Sequence, residues 1–124
     1  MMQTTAQRRD PLAGDPAAEQ VRRIVATIVR AVDPLAVILF GSRARGDHCA
    51  ASDVDLLVVQ EGMTTRQLCA ALDHRRALAD APLSVDLVAA TPARLAAARG
   101  DYSSVLHWAQ EQGVVLYRAP AIAP

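Results

Sequence analysis

Two aspartates with one residue between them, Asp53 and Asp55, open the run DVDLLVV (53–59), which is otherwise Val and Leu. Side chains of a strand alternate with period two, so both carboxylates are expected on one face. Two such charges repel unless something lies between them. A hard divalent cation removes the repulsion. Mg²⁺ takes carboxylate oxygen and shares its shell with water and substrate phosphates. A third aspartate, Asp86, stands in LSVDLVAA (83–90). It admits a second ion about 3.5–4 Å from the first. One ion would activate an attacking hydroxyl, and the other would hold a triphosphate and stabilise departing pyrophosphate. Asp86 would accept the hydroxyl proton or orient the metal that lowers its pKa.

Upstream, Gly41 and Ser42 follow the apolar run LAVILF (35–40). A glycine after a strand lets backbone approach a phosphate closely. Ser42 adds a hydroxyl, and the turn's N–H groups can form an anion-binding nest. Arg43 and Arg45 are candidates to neutralise the triphosphate. Either is equally placed to pair with Asp47 across the loop.

The elements that must position these groups follow from periodicity. Residues 1–14 are polar, with Pro and Gly, and are expected to be loose. Asp15-Pro16 reads as a helix cap and first-turn proline. Val21, Ile24, Val25, Ile28, Val29 and Val32 recur at three and four, which predicts an amphipathic helix that Asp33-Pro34 stops. LAVILF is a buried strand, residues 41–52 a loop, and DVDLLVV the second strand. Thr64 or Thr65 caps a helix whose apolar stripe is Leu68, Ala71, Leu72, Leu78 and Ala79. Ala81-Pro82 closes it, and LSVDLVAA is the third strand. Thr91-Pro92 starts a short helix that Gly100 ends. Asp101 is expected to cap another, with Tyr102, Val105, Leu106 and Ala109 on one face and Gly113 after it. VVLYR (114–118) is a last strand, and 119–124 a tail. A short loop joins the first two strands, so they should be antiparallel. A whole helix separates the second from the third, which predicts a parallel crossover. Asp86 then lies at the same sheet edge as Asp53.

GSRARGDHCAASDVDLLVV followed by VDLV resembles the nucleotidyltransferase superfamily of DNA polymerase beta and kanamycin nucleotidyltransferase. The pattern is Gly-Ser, about ten residues, Asp-x-Asp, and a later Asp on a neighbouring strand. The wording GSRARG and SDVDL, with the ending QEQGVVLYR, is similar to the minimal nucleotidyltransferases (MNT), over residues 16–118. The resemblance implies a small α/β nucleotidyltransferase fold, a mixed sheet with helices packed mainly on one face, occupying residues 15–118. It implies Gly41 and Ser42 as phosphate-binding, Asp53 and Asp55 as metal ligands, and Asp86 as third ligand or base. It further implies ATP as substrate and AMP transfer, to a tyrosine of a partner HEPN toxin that the MNT protein neutralises as antitoxin. Little chain remains outside the catalytic core, so the acceptor is expected to arrive on another protein. Two other readings stay open: an antitoxin acting by binding alone, and a small-molecule nucleotidyltransferase with a separate acceptor subunit.

Composition narrows the rest. The chain has 124 residues, which suits one domain. It is 52% apolar with four aromatic residues, so its core must be Leu, Val, Ile and Ala. Net charge is zero, so no general attraction to nucleic acid or anionic membrane is expected. All 13 basic residues are Arg. Cys49 and Cys69 make no disulfide framework, and no apolar run approaches a membrane span, so a reducing cytoplasm is expected. Homo- or hetero-oligomerisation would suit so small a core. Asp47, His48 and Ser52 read as loop-shaping residues, and His48-Cys49 lacks the further ligands of a zinc site. His74 reads as solvated, His107 and Trp108 as packing or partner surface, and Tyr102 and Tyr117 as core or interface.

Overall fold

A computed structural model describes residues 12, 17–46, 52–73 and 84–120. The expectations for the N-terminal segment, for Asp15-Pro16, for Asp47, His48, Cys49, His74, Leu78, Ala79 and Ala81-Pro82, and for the last four residues lie outside them. Helix α1 (Ala18–Val32) starts with Ala17 at its cap position. It buries Val21, Ile24, Val25, Ile28 and Val32, the stripe its spacing predicts. Asp33 takes a left-handed conformation and sends its N–H back to the Val29 carbonyl, and Pro34 follows. Gln60 Nε2 donates to the Val32 carbonyl at 2.9 Å, satisfying one acceptor of the helix end.

Strand β1 (Ala36–Phe40) leads into a single helical turn α2 (Ser42–Arg45). This turn corrects the expectation of a plain loop from residue 41. Gly41 and Gly46, both at positive φ, bracket it. The Ala44 and Arg45 N–H groups reach the Gly41 carbonyl, and that of Gly46 reaches Ser42. Strand β2 (Val54–Val59) returns antiparallel to β1, with Phe40 opposite Asp55. Helix α3 (Thr65–Asp73) begins at a reciprocal cap: Thr64 Oγ1 accepts from the Gln67 N–H at 3.1 Å, and the Gln67 side chain accepts from the Thr64 N–H at 2.9 Å. Strand β3 (Val85–Ala90) runs parallel to β2, as the crossover requires. Helices α4 (Pro92–Ala98) and α5 (Val105–Gln112) precede strand β4 (Val114–Arg118), which pairs antiparallel with β1. The mixed sheet has the order β3-β2-β1-β4.

Alternation divides the interior. Val37, Leu39, Val54, Leu56 and Val58 point to the face covered by α1 and by Leu68 and Leu72 of α3. Phe40, Leu57, Val59 and Ala90 point to the other, where Ala98, Leu106 and Ala109 of the short helices meet them. The longer helices thus lie on one face, and a thinner pair lies on the second. Central β2 is buried on both, which explains its unbroken Val-Leu run.

Helix α5 differs from expectation at its start. Ser104 is the cap, its Oγ accepting from the Leu106 N–H at 3.1 Å. Asp101 instead accepts from the Ser103 N–H and hydroxyl, at 3.0 and 2.6 Å, which hold its carboxyl below the usual range. Tyr102 (72% exposed) and Val105 (48%) therefore face out and do not share a face with buried Leu106 and Ala109. His107 is buried, and its Nδ1 accepts from the Gly100 N–H at 3.1 Å, a packing role. No helix among the described residues is long and apolar enough to cross a membrane.

Candidate active site

The chain reverses at Gly41 with φ +76°, a conformation that costs a non-glycine residue strain. The reversal brings the turn against the start of β2. A Cβ built on Gly41 would collide with Asp55 Oδ2 and sit 3.2 Å from its Cγ. Glycine is therefore required twice over, by backbone angle and by the carboxylate beside it. The phosphate-cradle argument foresees the glycine but not this neighbour.

Asp55 lies directly opposite Asp86 in the parallel register of β2 and β3. In-register neighbours on a sheet share a face, so the two carboxylates stand side by side. Asp53 precedes β2 and is exposed, as is Asp86, while Asp55 is half-buried. All three fall on the parity of Leu57 and Val59, the face carrying the thinner helices.

Electrostatics reports the same cluster. Burial pushes the Asp55 carboxyl above its ordinary value of 3.8, the negative charges of Asp86 and Asp53 add to the rise, and a hydrogen bond with Asp86 adds more. Arg45 opposes them. A half-buried carboxylate crowded by two others is a site that gains by taking up positive charge. The donor set is all oxygen, which fits a hard divalent cation. Among the described residues, no three His, Cys, Asp or Glu side chains are already gathered as a cage. Mg²⁺ does not require one, since one or two carboxylates plus substrate phosphates and water complete its shell.

The arginines separate. Arg45 is exposed and near enough to Asp55 to act on its charge. Arg43 is 3% exposed, and its Nε and Nη2 donate to the Ser52 carbonyl at 3.3 and 3.1 Å. Nothing in the sequence distinguishes them, since both sit in one short Arg-Ala-Arg run. The burial of Arg43 follows from the helical turn, which points it inward. The two glycines five residues apart were a signal for that turn.

Comparison with known proteins identifies the family and the fold. A family model described as a nucleotidyltransferase domain matches residues 18–105, a span holding the Gly41–Ser42 turn and all three aspartates. No curated protein matches. Among solved structures, a candidate nucleotidyltransferase from Sulfolobus solfataricus is similar with a TM-score of 0.57 and 19% identity, over 90% of this chain and 91% of that one. A toxin–antitoxin structure with AMP-PNP is similar with a TM-score of 0.55 and 20% identity, over 79% of this chain and 73% of that one. Both likenesses are likenesses of fold.

Proposed function

Since the chain belongs to the nucleotidyltransferase domain family, we propose that it is a metal-dependent protein adenylyltransferase that moves AMP from ATP to a tyrosine hydroxyl of a HEPN-type toxin, and so acts as its antitoxin. The observation that carries the reading is the Asp55 carboxylate lodged between the Gly41 turn and Asp86. It brings three carboxylates and the glycine turn to one end of the sheet, which supports a cation and phosphate site there. The toxin–antitoxin neighbour with AMP-PNP supports both a partner protein and an adenine nucleotide.

The residues divide the work. Gly41 and Ser42 receive the triphosphate through backbone N–H groups and a hydroxyl. Arg45 offsets its charge from the exposed side. Asp53, Asp55 and Asp86 would hold Mg²⁺, as two ions, which when bound neutralises the phosphates and lowers the pKa of an attacking hydroxyl. Asp86, on the neighbouring strand, would receive the proton of that hydroxyl or serve as the third ligand alone.

The test uses the pure chain, Mg-ATP and the product of the adjacent gene. We expect little turnover by the chain alone. Adding the partner should release pyrophosphate and increase the partner's mass by one or more AMP units, and chelation by EDTA should stop both. A partner that is bound and neutralised by an Asp86→Asn protein, with no nucleotide on it, would replace this reading with binding alone.

A further inference from the structure

A fully buried arginine is costly unless its guanidinium is hydrogen-bonded, so its partners show what it is kept for. Arg43 lies in the turn after Gly41 and Ser42, and both donors that reach Ser52 go to one backbone carbonyl. Ser52 immediately precedes Asp53. On the other side of Asp53, the Val54 N–H is held by the Ser84 carbonyl at 2.8 Å. The exposed carboxylate of Asp53 therefore hangs from a backbone pinned at both neighbouring peptides. One pin belongs to the strand pairing and the other to Arg43.

The turn that carries Arg43 is closed by its own backbone hydrogen bonds. Its N–H groups return to Gly41 and Ser42, and glycines at positive φ close both ends. A guanidinium that spans from this turn to Ser52 links the two halves of the site across the intervening loop. The planar fork suits the task, because two donors fix direction as well as distance. A lysine ammonium at the same place would offer a point charge and no fork.

We propose that Arg43 is a positioning residue, which holds Asp53 in register with the Gly41–Ser42 turn and so sets the cation affinity of the site without touching the nucleotide. The inference rests on the metal-dependent reading above and assigns Arg43 a role different from that of Arg45.

The experiment measures Mn²⁺ binding by electron paramagnetic resonance in the presence of AMP-PNP, so that no turnover is needed. It compares the parent chain with Arg43→Gln, Arg43→Lys and Asp53→Asn. Loss of a group that orients a metal ligand typically weakens metal binding by about 10–100-fold. Arg43→Gln should fall in that range, Arg43→Lys should recover part of the loss, and AMP-PNP binding in EDTA should match the parent in both. Should Arg43→Gln not fold, Arg43→Lys carries the same comparison. Unchanged Mn²⁺ binding in a folded Arg43 variant overturns the proposal. So does an equal loss of metal-free AMP-PNP binding, which would make Arg43 a phosphate contact, and so does failure of both variants to fold. Asp53→Asn separates this result from the functional reading. If that variant binds Mn²⁺ like the parent, the metal reading itself falls. If it loses binding while Arg43→Gln keeps it, only the role of Arg43 falls.

Discussion

On one face of the sheet, Val37, Leu39, Val54, Leu56 and Val58 meet a fifteen-residue helix and are sealed from water. On the other, Phe40, Leu57 and Val59 meet two short helices. On the parity of that second face, Asp53, Asp55 and Asp86 crowd one edge of the sheet. The same strand, β2, serves both: its even positions fill the thick core, and its odd positions run from carboxylate to apolar within a few residues. Alternation lets one strand carry stability on one side and charge on the other. On that side Asp53 and Asp86 stand exposed, and only Asp55 carries a burial penalty, the largest cause of its raised pKa.

The largest effect should come from the charged edge. Asp53→Asn or Asp55→Asn should lower AMP transfer by about 10³-fold or more, beyond the loss for a group that only orients a metal ligand. Pyrophosphate release measures it. The fold should survive, which circular dichroism reports. For Asp55→Asn, stability without metal should rise at neutral pH. The folded-state pKa of Asp55 is raised, so this carboxyl supports the fold at low pH and loses that support as pH climbs through the raised value. The stability gap between parent and Asp55→Asn should accordingly widen from acid to neutral pH in favour of the amide. A gap independent of pH would break the contrast between the two faces.

Next come the cores. Leu56→Ala, in the sealed face, should cost about 3–4 kcal/mol in denaturant titration. Leu106→Ala, on the inner side of α5 and 7% exposed, should cost nearer 2 kcal/mol, because the site can relax toward solvent. Equal costs would show that the second face is as tightly packed as the first.

Smaller effects belong to the turn. Gly41→Ala should destabilise by roughly 1–3 kcal/mol, because φ +76° with ψ −157° is a glycine conformation, and should displace Asp55. A matching loss of ATP affinity, read by calorimetry, connects the turn to phosphate. Ser42→Ala should be mildest, about 1 kcal/mol of ATP binding, since one hydroxyl leaves and the backbone donors stay.

Much of this arrangement is legible in the chain itself. The spacing of Val21 to Val32 marks a helix with one buried stripe, and continuous Val-Leu runs mark strands buried on both faces. A short loop and then a whole helix dictate an antiparallel and then a parallel neighbour. The identity of Asp53, Asp55 and Asp86, and their common edge, follow from period and connection alone. These are local properties, set by steric periodicity and by the length of chain available for each return.

Other features required the folded backbone. Asp101 carries the residue type of a helix cap but closes a tighter turn with Ser103, and Ser104 caps α5 instead, so Tyr102 and Val105 face out. Arg43 and Arg45 are alike in sequence, yet one is sealed against Ser52 and the other stands in solvent near Asp55. The in-register contact of Asp55 with Asp86, and the Gly41 backbone against Asp55, arise where three separate segments meet. Sequence determined which groups are present and which way each strand faces, because those depend on neighbours along the chain. Only tertiary structure decided which arginine is buried and how closely the carboxylates crowd, because burial and Coulomb repulsion depend on distances between residues far apart in the chain.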